Sequence, residues 1–368
     1  MQTLTELIQS QPQQADIEAF MQHWSQLGDK FADPVIEAMQ GRCEGDWLET
    51  IYQRAQSEGD VYQDFIQHIE SIPHWVNFED YKVGRDYALY VAPLGGVALL
   101  LGSLMEGYVI PQGANLLAST KKLTEGAFKR IHETGQMVTS VYVEDGLKVG
   151  NEGFTTLVKV RLIHAIVRYH VRPHRARIDL PLDEEPINQI GNAFTLTQFS
   201  DLVLRNVEKF HMGPNQAESE SLEDMWRYVG YLLGVDEAIL PKNRAEQAWL
   251  HDQVMAIQTN ANENSRLLAS SLINAVTQQT KITMPSGLMT EFTRFMLGDK
   301  VCTELGFEPH KGWRKLVRSL PYVLAPLNFI RQKLPLLQKP LVWFGDWYSQ
   351  YMVQKGQGGK KTDFNTQP

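Results

Sequence analysis

Apolar residues recur at intervals of three and four along most of this 368-residue chain, the spacing of one face of an α-helix. Behind Asp16, read as an N-cap, Ile17, Phe20, Met21, Trp24, Leu27 and Phe31 trace such a face up to Pro34. The same period predicts helices over 60–72, 81–109, 120–142, 154–170, 194–211, 222–233, 244–259, 265–278 and 287–305. Strand-like alternation is confined to two short stretches, 107–110 and 141–143. Three prolines punctuate 172–186, which reads as a loop. No repeat and no Gly/Ser linker interrupts the pattern. The fold class is therefore all-α, a large single-domain helical bundle over residues 1–353. Beyond it, 354–368 is polar and unpatterned, as expected of a disordered tail.

One predicted helix stands apart. The stretch 154–171 is apolar almost all the way round, with Leu157, Val158, Val160, Leu162, Ile163, Ala165, Ile166 and Val167, which marks it as buried on every side. Arg161, His164 and Arg168 are set into it at spacings of three and four, on one stripe. Two arginines in an apolar interior require an anionic partner there, because an unpaired buried charge is expensive. A histidine between two cations resists protonation, and the neutral imidazole is the form that ligates a metal. The stripe suits haem, whose ring needs apolar walls and whose propionates need cations. It equally suits arginines paired with buried Asp or Glu from other helices around a core histidine.

The run Val160-Arg161-Leu162-Ile163-His164-Ala165-Ile166-Val167-Arg168 resembles the Arg-x-x-His-x-x-x-Arg signature of the DUF2236 family, which holds MpaB-like oxygenases and latex-clearing proteins. Four further stretches match that family in order: Arg130 to Thr134, Pro186 to Gln189 leading to Phe199-Ser200, Trp226 to Val235, and Arg294 to Gly298 followed by Leu305 to Pro309. The family-like core thus spans about 81–309. The resemblance implies a helical fold enclosing a haem b pocket, with His164 as the proximal iron ligand and Arg161, Arg168 and Arg294 grouped as cofactor-binding residues. It places Arg130, Glu133 and Thr134 on a helix covering the distal face, as candidate catalytic residues. The implied function is a haem-dependent oxygenase using O2 on an unsaturated lipophilic substrate, isoprenoid or lipid-like; the alternative is a non-catalytic haem or lipid carrier of the same fold.

Two positions depart from the latex-clearing pattern. Glu133 stands where those proteins have a lysine, and Tyr169 where they have a histidine, which argues against rubber cleavage. In an apolar pocket the Glu133 carboxyl would be pushed up in pKa and act as acid, base or hydrogen-bond partner; the other reading is a salt bridge to Arg130 or a neighbouring arginine.

Composition narrows the rest. A net charge of −8 argues against nucleic acid as a partner. Cys43 and Cys302 are the only cysteines, so neither a disulfide framework nor a CxxCH haem attachment is available. The N-terminus lacks a signal-peptide pattern, and the expectation is a cytoplasmic protein. The longest apolar run, 87–110, contains Pro93, Gly95, Gly96, Gly102 and Glu106 and reads as core rather than as a membrane span. Glu208 and His211 have the Glu-x-x-His spacing of a di-iron site but lack a second copy, and Pro173 separates His170 from His174. Near the C-terminus, Lys311, Arg314, Lys315, Arg318, Arg331, Lys333 and Lys339 interleave with Trp313, Tyr322, Phe329, Trp343, Phe344 and Trp347. That mixture suits either peripheral membrane contact or helices packed back on the core with basic outer faces.

Overall fold

The computed structural model describes residues 2–119, 127–279, 284–334, 336, 338–356 and 364, and no strand occurs among them. The N-terminal layer comprises α1 (Leu4–Gln9), α2 (Gln14–Ser25), α3 (Ala32–Ala38), α4 (Trp47–Ala55) and α5 (Asp60–Glu70). Asp16 is not the N-cap of α2: Gln13 takes that place, and Asp16, three residues into the helix, closes the capping box. The face that begins at Ile17 is also broken before Leu27 and Phe31. Asp29 accepts hydrogen bonds from the amides of Phe31 and Ala32, both at 3.0 Å, and so starts α3 instead of continuing α2.

The single helix predicted over 81–109 is several pieces: α6 (Tyr81–Tyr90), α7 (Ala92–Val97), a π-helical turn (Ala98–Ser103) and α8 (Leu104–Gly107). The segments Phe78–Tyr90 and Ala92–Gly107 meet at a bend of 76°. Pro93 has no N–H to give to the preceding turn, which is why the break falls there. The two short segments expected as strands are turns. The amides of Val109 and Ile110 bond to the carbonyls of Glu106 and Gly107, and that of Tyr142 to Thr139, so their backbone partners are local.

The middle of the chain forms α9 (Pro111–Ser119), α10 (Ala127–Val141) and α11 (Glu152–Val171); the start of the helix predicted from 120 lies outside the described residues. Much of the expected loop 172–186 is a 3-10 helix, Arg172–Ile178. The helix predicted over 194–211 divides at Ser200 into α12 (Gln189–Phe199) and α13 (Asp201–Lys209). The chain continues through α14 (Gln216–Leu232), α15 (Arg244–Gln258), α16 (Glu263–Gln279), α17 (Ser286–Glu304), α18 (Lys311–Lys333) and α19 (Gln338–Gly356). Helix therefore persists into the segment expected to be a tail, whose residues beyond 356 lie outside those described, Phe364 excepted.

Helix α11 runs through the middle of the bundle, against α3, α4, α10 and α14. Leu157, Val158, Leu162 and Ala165 on it are essentially inaccessible to solvent, and each larger side chain contributes about 1.5–3 kcal/mol by leaving water. At the other end of the chain α19 lies on α6 at unusually short range. A Cβ on Gly345 would fall 1.7 Å from the Leu89 carbonyl oxygen, so only glycine allows this approach.

Candidate functional site

The stripe on α11 divides into two kinds of polar residue. Arg161 and Arg168 are each 1% exposed, and each is neutralised from α3 or the turn before it. The Nε and Nη2 of Arg161 donate to the two carboxylate oxygens of Asp29 at 2.6 and 2.8 Å. Arg168 donates through Nε to Asp33 at 2.8 Å and through Nη1 to the Ile187 carbonyl at 2.9 Å. The interior anions required by the sequence are therefore protein carboxylates. Arg161 and Arg168, expected as cofactor-binding residues, thus face Asp29 and Asp33, while Nη1 of Arg161 is buried without a hydrogen-bond partner. Gly234, with φ +84°, leaves room for the first pair; a Cβ there would stand 2.1 Å from Asp29 Oδ2 and 2.6 Å from Arg161 Nε.

The two carboxylates respond differently to burial. It pushes the Asp29 carboxyl up, but the guanidinium of Arg161 outweighs that and holds it at about 2. For Asp33 burial prevails over Arg168, and its carboxyl is raised. A surface cleft of about 400 Å³ opens beside the first pair, lined by Trp24, Gly28, His68 and Gly234 among others. His164 does not line it.

His164 lies between these arginines in sequence and, like Arg161 at Nη1, keeps a buried nitrogen without a hydrogen-bond partner. Its Nδ1 is shut off from solvent and has no hydrogen-bond partner. Burial first, and then the charges of Arg168 and Arg130, depress its pKa to about 3, so the imidazole is neutral at any physiological pH. Arg130 comes from α10, which packs against α11. Burial lowers its own pKa, and its electrostatic neighbours are Tyr108, just past α8, and Glu133. Tyr108 is itself pushed up to about 12 by burial, against the opposing effect of Arg130. The structure thus gathers Arg130, Tyr108 and His164 from three parts of the chain.

Other sequence candidates fall elsewhere. Glu133 is not in an apolar pocket: its side chain is 30% exposed and sits 3.6 Å from the Lys129 ammonium one turn earlier, at the solvent edge of α10. Thr134 is partly buried beside it. Arg294, expected as a cofactor-binding residue, is engaged within the protein through its terminal nitrogens, while its Nε has no hydrogen-bond partner. It donates to Asp299 at 2.7 Å and to the Phe307 carbonyl at 2.6 Å, in a network closed by α17 and the turn after it. His170 approaches the Gly41 carbonyl at 3.2 Å and His174 is exposed on the 3-10 helix, so neither joins His164. Glu208 is held by both terminal nitrogens of Arg244 at 2.6 and 2.8 Å, away from any di-iron arrangement.

Sequence reasoning missed Asp29, Asp33 and Tyr108, and also a buried pair of Glu106 and His251, whose carboxylate oxygen and Nε2 are 2.6 Å apart. Burial disfavours the charged imidazole, but the Glu106 hydrogen bond outweighs it and raises the His251 pKa. The four-residue spacing of Asp29 and Asp33 was visible beside the seven-residue spacing of Arg161 and Arg168. Nothing in the chain announced which would meet across more than 130 positions.

Among the described residues no group of three or more His, Cys, Asp or Glu side chains is arranged to hold a metal ion. A neutral imidazole on an apolar helix is the form of histidine that ligates a metal.

The model of the family described as ER-bound oxygenase mpaB/B'/Rubber oxygenase, catalytic domain, matches residues 81–325, two thirds of the chain and every stretch that carries the resemblance. Among solved structures, latex clearing protein LCP in the closed state is similar in fold, with a TM-score of 0.68 over 89% of this chain and 90% of that one at 18% identity. No curated protein matches the chain.

Proposed function

Because the chain belongs to the mpaB/rubber oxygenase catalytic-domain family and is on that ground an oxygenase, we propose that it carries haem b on His164 and uses O2 on an unsaturated lipophilic compound of isoprenoid or lipid-like type. The observation that carries the proposal is the state of His164: neutral, with Nδ1 buried and without a partner, in a helix whose buried arginines are paired. A buried ring nitrogen left without a partner costs about 1–3 kcal/mol unless something outside the protein's own hydrogen-bond network repays it. When bound, haem supplies the iron at which O2 is activated.

The chain's own residues do the rest. His164 holds the iron, and its depressed pKa keeps the ligating nitrogen unprotonated. Arg130, enclosed beside it, provides a cation for a propionate or for negative charge that develops during turnover. Thr134 adds a hydroxyl on the same helix, and Glu133 lies at its solvent edge beside Lys129. Leu157, Val158 and Leu162, fully buried, keep the surroundings of α11 apolar, as a haem ring requires of its walls.

Absorbance of the protein purified after expression with ample haem tests the cofactor. A Soret band is the expected result, and its absence overturns the haem assignment. Oxygen uptake by the ferrous protein in the presence of terpenoids or unsaturated lipids tests the substrate class. A Soret band with uptake on neither would remove that class and leave the iron site standing.

A further inference from the structure

Helices α18 and α19 pack on the core with one face and turn an apolar, aromatic face outward. On α18 the buried positions are Val317, Pro321, Asn328 and Arg331. On the opposite side of the same helix, Tyr322, Val323, Leu327 and Phe329 are 76, 64, 53 and 62% exposed. Leu336, after the helix, is 90% exposed. On α19, Trp343, Trp347 and Tyr351 succeed one another at intervals of four, 69, 50 and 44% exposed, while Gly345 is pressed onto Leu89. Soluble surfaces carry apolar side chains singly, and a run of this size marks a binding face.

Both helices are moored at the same end of α6. The Arg331 guanidinium lies over the rings of Tyr87 and Tyr90 and is paired with Glu218, and Gly345 abuts the residue just before Tyr90. Both helices are thus held at that end of α6 by buried contacts that owe nothing to an outside partner.

Charge identifies the occupant. Residues 311–355 contain eight Lys and Arg against one acidic residue, Asp346, in a chain whose net charge is −8. Arg314 and Arg331 are consumed in ion pairs with Glu291 and Glu218. Lys311, Lys315, Arg318, Lys333, Lys339 and Lys355 remain exposed, and on α18 they bracket the apolar centre from both ends. A second copy of this chain would oppose like charge to like charge across this face. An anionic lipid leaflet would not: it takes aromatic side chains at headgroup depth and basic ones at the phosphates. Among the described residues no single helix is long and apolar enough to cross a membrane.

We infer that the outer faces of α18 and α19 seat the protein on an anionic membrane surface. The inference does not depend on haem, since the face is built by helices that carry none of the site residues.

Co-sedimentation with vesicles tests it. The full chain is expected to pellet with vesicles of phosphatidylcholine mixed with phosphatidylserine, to be released by salt, and to bind pure phosphatidylcholine far less. Lys315→Ala and Lys333→Ala should each weaken partitioning about fivefold. Joint replacement of Phe329, Trp343 and Trp347 by Ser should weaken it roughly tenfold or more. All are exposed, and circular dichroism and melting temperature should stay those of the wild type. No binding to the anionic vesicles overturns the inference, as does binding that the triple variant retains. A wild-type dimer in sedimentation equilibrium that the triple variant dissociates would show a second copy to be the occupant and overturn it equally.

Discussion

Within two turns of α11 the same apolar environment treats its polar side chains in opposite ways. Arg161 and Arg168 meet carboxylates at hydrogen-bonding distance, whereas the imidazole between them has a buried nitrogen with no partner. The ion pairs tie α11 to α3, although Nη1 of Arg161 is itself buried without a hydrogen-bond partner. The histidine makes no such tie, and it is there that function is to be sought. A buried charge by itself is a poor guide to a cofactor, because another helix readily supplies its counterion. A buried polar atom that the folded chain leaves unsatisfied guides further only where its chemistry fits a ligand, as the neutral imidazole of His164 does.

Exchanging the two kinds of residue should have opposite consequences. The largest effect is on cofactor retention: His164→Ala should purify without a Soret band while staying folded, and His170→Ala and His174→Ala should keep the band in full. A full complement of haem in the His164→Ala protein would dissolve the comparison.

Next in size is the effect on stability. Arg161→Ala or Asp29→Ala leaves the opposite charge buried and alone, and each should cost about 3–5 kcal/mol in urea unfolding. The joint replacement Arg161→Met with Asp29→Leu should recover much of that loss, since it removes both charges together. Should each single change cost less than about 1 kcal/mol, the pair would not be the tie proposed for α11 and α3.

The pair also carries a pH signature. His68, stacked on Phe31 beside it, is depressed to about 3 from an ordinary 6.5 by burial first and then by Arg161. A folded pKa below the unfolded one means that the unfolded chain takes up the proton first. The stability His68 contributes is therefore whole above about 6.5 and is lost as pH falls from there toward 3. Asp29, at about 2 against 3.8, loses its contribution only below 3.8. His68→Gln should thus reduce the decline of stability between pH 6.5 and 3.8, leaving the part that His164 contributes in the same window and the fall below it. An unchanged slope in this window would show that His68 is not buried in its neutral form.

The smallest effect belongs to the solvent edge of the site. Glu133→Gln removes an ion pair with Lys129 at 3.6 Å and should change stability by no more than about 0.5 kcal/mol. Turnover is the sharper reading: a drop in oxygen uptake without a change in the Soret band would give the carboxylate a part in the reaction, and an unchanged rate would leave it a surface pair.

By itself the sequence determined the helical class, most helix positions, the buried character of α11 and the membership signalled around His164. These rest on local rules: an apolar period of 3.6 residues, an apolar run on every side of one helix, and a motif contiguous in the chain. Only the tertiary structure decided where the period is cut, as at Pro93 and Ser200, and which side chains meet. Asp29 and Arg161 are 132 positions apart, and Glu106 and His251 are 145 apart. Arg130 reaches the surroundings of His164 from another helix. The pattern of a helix tells how its residues divide between inside and outside. Whether a buried charge finds its counterion in the protein or must take it from a cofactor depends on distances across the core, which no local pattern encodes.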